Sequence, residues 1–100
     1  MGNEMETIVA SPYIDQTRAI ISITGDNIAW ESTVIVELWA PSSENSPLKQ
    51  ETVIVGAGDT QELSWTADGE VGEWTIELES EDFEFSYELE WVLDYRFTAE

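Results

Sequence analysis

The chain reads as an all-β, antiparallel β-sandwich of about seven strands, jelly-roll or immunoglobulin-like. Three observations carry that reading. Valine, isoleucine and threonine supply 25 of the 100 residues. No segment sustains a helical apolar stripe, whereas apolar side chains repeatedly take alternate positions, the period of a strand. Between these runs lie short clusters of glycine, proline, asparagine and serine, the residues that reverse a chain.

The elements follow in order. Glu6–Ala10 is the first strand, and in Arg18–Thr24 the side chains of Ala19, Ile21 and Ile23 share a face. GDN at 25–27 turns the chain into Thr33–Ala40, where Val34, Val36 and Leu38 point one way and Trp39 the other. After PSSENSP at 41–47 comes Gln50–Val55, whose inward face is undecided because Val53, Ile54 and Val55 are all apolar. GAGD at 56–59 leads to Gln61–Thr66, with Leu63 and Trp65 on one side, and ADGEVG at 67–72 leads to Glu73–Glu79. There Trp74, Ile76 and Leu78 form the core face, opposite Thr75, Glu77 and Glu79.

The last element, FEFSYELEWVLDYRF at 83–97, has an aromatic residue or leucine at every odd position. In a helix these would scatter around the cylinder; in a strand they line one face. The pattern predicts a strand over Tyr87–Phe97, with Phe83–Ser86 as a bent lead-in or a separate short piece. No internal repeat or linker interrupts the chain, so residues 1–100 are read as a single domain.

Composition restricts the chemistry. The absence of cysteine and histidine removes thiolate nucleophiles, disulfides, the usual zinc ligands and the usual neutral-pH base. Twenty-two acidic residues against three basic ones give a net charge of −19. Such self-repulsion opposes compaction in dilute buffer and is screened in molar salt, where the Debye length is about 3 Å. The excess of carboxylates with so few lysines points to a salt-adapted surface. Nucleic acid is excluded as a partner, since phosphate contacts need cations. No apolar run is long enough to span a membrane, and MGNEMETIVA lacks the regions of a signal peptide. The expectation is a chain that is cytoplasmic at synthesis and reaches the outside, if at all, within a virion.

Two stretches, TVIVELWAPSSENSPLK and TQELSWTADGEVGEWTIELES, carry a family resemblance. An apolar strand runs into a proline-containing loop at Val34–Pro41, and a glycine-x-tryptophan-threonine strand follows at Gly72–Leu78. This pattern resembles the small jelly-roll accessory domains of peptidases, the pre-peptidase C-terminal domain and the P domain of proprotein convertases. The aspartate that opens the first of these strands in the family is replaced here by Ser32 and Thr33. The resemblance implies a sandwich fold and an accessory role.

Candidate site residues come in two groups. Glu79, Glu81 and Asp82, before the last strand, are the best oxygen ligands for calcium, though no D-x-D-x-D-G loop is present. Trp30 and Trp39, together with Phe83 and Phe85, are the candidate partner contacts, because aromatic anchors concentrate at interfaces. No carboxylate pair or serine–lysine arrangement marks a catalytic centre. The expectation is a non-enzymatic structural or interaction module adapted to high salt, such as a capsid decoration or turret, bound to a protein partner or to its own copies. The alternative is an accessory domain that binds carbohydrate or calcium. Of the 22 acids, 15 fall in residues 51–100, which places any less acidic contact face in the first half.

Overall fold

The computed structural model describes residues 2–26, 29–81 and 85–96. Its seven strands are β1 (Gly2–Ala10), β2 (Ile14–Gly25), β3 (Ser32–Trp39), β4 (Lys49–Val55), β5 (Thr60–Asp68), β6 (Gly72–Ser80) and β7 (Phe85–Tyr95). They form a four-stranded sheet, ordered β1-β6-β3-β4, and a three-stranded sheet, ordered β5-β2-β7. Every pairing within the two sheets is antiparallel. The chain is thus the β-sandwich its alternation predicts.

Three strands start two or more residues earlier than the alternation indicates, each for a local reason. β1 begins at Gly2 rather than Glu6, because Glu4 and Glu6 occupy inward-facing positions of an edge strand, in register with Leu78 and Ile76. β2 begins at Ile14 rather than Arg18. Its register shifts between Ile14 and Gln16, so the buried positions are Ile14 and then Thr17, three residues on. β7 begins at Phe85 rather than Tyr87, in register with Gly25, and Phe97 lies outside the described residues.

Alternation places the core. Trp74, Ile76 and Leu78 of β6, Val34, Val36 and Leu38 of β3, and Ala19, Ile21 and Ile23 of β2 are all fully buried. At about 1.5–3 kcal/mol per large apolar side chain, these three strands dominate the hydrophobic stabilisation. The Trp74 indole N–H donates to the Glu70 carbonyl at 2.8 Å, so the largest core side chain leaves no stranded donor. In β4, Val53 and Val55 point inward and Ile54 outward.

The pairs β2–β5 and β3–β6 match the central pairs of an immunoglobulin sandwich, but the terminal strands are exchanged. β1 lies against β6 and β7 against β2. At that side of the sandwich, Tyr87 Oη donates to Glu6 Oε2 at 2.8 Å, joining the two edge strands across the sheets. Burial, then the hydrogen bond and charge of Glu6, then the charge of Glu4, push the Tyr87 phenol up to about 12. Because β7 is an edge strand, Leu89, Trp91 and Leu93 are only half-buried, although all lie on its core face.

The far end of β2 is fixed by a close backbone approach. Gly25 N–H donates to the Asp59 carbonyl at 3.0 Å, and the Gly25 carbonyl accepts from Gly58 N–H at 2.9 Å. A Cβ at residue 25 would stand 2.2 Å from the Gly56 carbonyl oxygen, so only glycine fits there.

Candidate functional site

Antiparallel register assigns the residues on the outer face of the four-stranded sheet. One row runs Asn3–Glu79–Ile35–Thr52, and the next runs Met5–Glu77–Glu37–Gln50. Beyond them come Thr7–Thr75–Trp39 and then Val9–Glu73. Thr33 and Ile54 close the other end. The face therefore mixes large apolar side chains with four glutamates. Met5 is 59% exposed, Val9 68% and Ile54 53%.

None of the three basic residues stands on this face. Arg18 belongs to the other sheet, Arg96 follows β7, and Lys49 is in register with the buried Leu38, on the inner side of an edge strand. Glu37 and Glu77 sit directly opposite one another, an arrangement that repels. Two amides offset it: Asn3 Nδ2 donates to Glu77 Oε2 at 2.6 Å, and Gln50 Nε2 to Glu37 Oε2 at 2.7 Å.

Two grooves open on the same face. One, of about 530 Å³, is lined by Trp30, Glu31, Thr33, Ile35, Glu79 and Glu81, with Ser80. The second, of about 380 Å³, lies toward the opposite end of the sheet, where Met5, Trp39, Pro41, Glu73 and Glu77 are among its lining residues. Each groove thus combines one tryptophan with at least one carboxylate of β6. Trp30 is 60% exposed, while Trp39 is half-buried with its indole N–H shielded and without an acceptor among the described residues.

No protein-family model, curated protein or solved structure matches the chain. The segments Val34–Pro41 and Gly72–Leu78, on which the family resemblance rests, are brought together as the paired strands β3 and β6.

The candidate residues of the sequence separate into three fates. Trp30, Glu79 and Glu81, drawn from two different expectations, line one groove, and Trp39 lines the other. Phe85 requires correction as a surface contact. It is only 9% exposed and packs into the core, with its ring 6.5 Å from that of Tyr87, because β7 extends far enough to reach Gly25. Phe83 and Asp82 lie outside the described residues. Among the described residues, no three carboxylates converge as a group able to hold a metal ion.

Met5, Val9 and Ile54 were not singled out by sequence reasoning. The signal was present but ambiguous. β1 alternates with apolar residues in both phases, and the apolar run of β4 hides which of its members faces out. The acidic bias of the second half also does not separate in space, because β6 is inserted between β1 and β3. Its glutamates therefore stand on a face shared with β1 and β3 of the first half.

Proposed function

We propose that the protein is a non-enzymatic interaction module adapted to high salt, and that the outer face of its four-stranded sheet is the surface it presents to a protein partner. The observation that carries this reading is the contrast on that face: large side chains such as Met5, Val9 and Ile54 are more than half exposed on an otherwise acidic sheet. Met5 and Val9 stand on one edge strand and Ile54 on the other, so these side chains flank the glutamates of the face from both sides, an arrangement suited to contact. Both grooves lie on the same face and each contains a tryptophan.

Salt adaptation is supported by the distribution of acids. Glutamates and aspartates occupy the outer faces of both sheets, including Glu62, Glu88, Glu90 and Asp94 on the three-stranded one, rather than one cluster. The thermal midpoint is expected to rise substantially between about 0.1 M and 1 M salt, as the Debye length falls from about 10 Å to about 3 Å. An unchanged midpoint overturns the salt reading.

The interaction reading is tested by substituting Met5→Thr, Val9→Thr and Ile54→Thr together. In extracts of the source cells, the unaltered chain is expected to fractionate in a larger complex and the triple variant as a free chain. Identical fractionation of the two overturns the reading. As the setting we propose a particle surface, a capsid decoration or turret of a virus of a salt-loving host. Absence from purified particles overturns that setting and leaves the module reading standing.

A further inference from the structure

The two grooves share a chemistry that names their occupant. We infer that this face binds an extended, arginine-bearing polypeptide segment, with guanidinium groups seated against Trp30 and the carboxylates of Glu79 and Glu81. This inference rests on the reading of the face as a contact surface and adds the chemistry of the partner.

Charge complementarity is the first argument. The face carries Glu37, Glu73, Glu77 and Glu79, with Glu31 and Glu81 at the rim of the larger groove, and no basic residue. A second copy of the chain docked face to face would set these carboxylates against their own equivalents. A cationic partner would instead replace the Glu37–Glu77 repulsion with attraction.

The aromatic residues choose among cations. An exposed tryptophan ring beside carboxylates offers a guanidinium both a face to stack on and oxygens to accept its forked N–H groups. Arginine is also the more weakly hydrated cation, so its contacts survive in concentrated salt better than those of lysine. A point ion such as calcium makes no use of a ring.

Groove spacing sets the form of the partner. From Ser32 to Trp39, β3 covers roughly 23 Å at about 3.3 Å per residue. A segment of about eight extended residues therefore reaches from the Trp30 groove to the Trp39 groove, and two arginines near its ends engage both.

The test uses the full chain and two synthetic nine-residue peptides, Arg-Gly-Ser-Gly-Ser-Gly-Ser-Gly-Arg and the same sequence with neutral citrulline for arginine. Tryptophan fluorescence follows each titration, and sedimentation follows self-association. The arginine peptide is expected to bind. Its affinity should fall about fivefold with Trp30→Ala and at least as much with Glu79→Gln and Glu81→Gln combined, while the citrulline peptide binds much more weakly. Both variants replace exposed or groove-lining side chains, and an unchanged circular dichroism spectrum confirms folding.

Equal binding of the citrulline peptide, or indifference to both variants, overturns the inference. So does saturable binding of a neutral oligosaccharide such as cellohexaose in place of the peptide, which would make the groove a sugar site. If the chain binds no peptide but self-associates, and the Met5, Val9 and Ile54 substitutions abolish this, the contact face stands and its arginine partner falls. If it neither binds nor associates and the substitutions leave its fractionation unchanged, both readings fall.

Discussion

The outer faces of the two sheets are built by the same alternation yet are different surfaces. The three-stranded sheet shows solvent rows such as Ser86–Thr24–Thr60 and Glu88–Ser22–Glu62, with hydroxyls bonded across strands. Its apolar outer residues, Ile20 and Val92, are half-buried. On the four-stranded sheet Met5, Val9 and Ile54 stand more than half exposed, the first two beside the glutamates of β6 and the last on the opposite edge strand. Acidity is common to both faces. Of the two outer sheet faces, only the four-stranded one carries Met5, Val9 and Ile54 more than half exposed, and the proposed contact surface rests on that difference.

The largest effect separates the two sides of the four-stranded sheet itself. Trp74→Ala is expected to cost about 3–5 kcal/mol in denaturant unfolding, because it empties the centre of the core. Trp30→Ala, on the outer side, should change stability by no more than about 0.5 kcal/mol. Comparable losses would place Trp30 in the core and remove it from the contact surface.

The two outer faces can next be exchanged in character. Ile20→Thr or Val92→Thr should each cost about 1 kcal/mol, since each removes half-buried apolar area, and should leave complex formation untouched. Met5→Thr, Val9→Thr and Ile54→Thr should do the reverse, staying within about 0.5 kcal/mol each while abolishing association.

Tyr87→Phe probes the joint between the sheets. It should cost about 1 kcal/mol and delete the highest-pH phase of phenol absorbance, the phase near 12. The sign follows from proton binding. With an unfolded value of 10 and a folded one near 12, the native state holds more protons between them, so stability falls as pH rises across that window. The variant should lack this part of the alkaline loss.

The smallest effect is electrostatic. Glu77→Gln relieves the Glu37–Glu77 repulsion and should raise stability by a few tenths of a kcal/mol at 0.1 M salt. At 1 M the gain should vanish, because the charges are already screened.

Much of the architecture was legible because strand periodicity survives in central strands. β3 and β6 alternate cleanly and were placed nearly to the residue. Two strands were harder: the glutamates of edge strand β1 disguise an inward phase, and in β2, though central, a bulge resets the phase between Ile14 and Gln16. The candidate surface was half legible. Trp30 and Trp39 could be read as outward-facing from local pattern alone. That Trp39 shares a face with the β6 glutamates depends on the β3–β6 pairing, and with Met5 on the exchange of terminal strands, long-range pairings that no local window contains.

The central claim, that one outer face makes the contact, is tested most directly by hydroxyl-radical footprinting of the native assembly against the isolated chain. Oxidation of Met5 and Trp30 is expected to slow several-fold in the assembly, while Ile20 and Val92 on the opposite face react at unchanged rates. Protection of Ile20 and Val92 with Met5 and Trp30 still fully reactive would contradict the account.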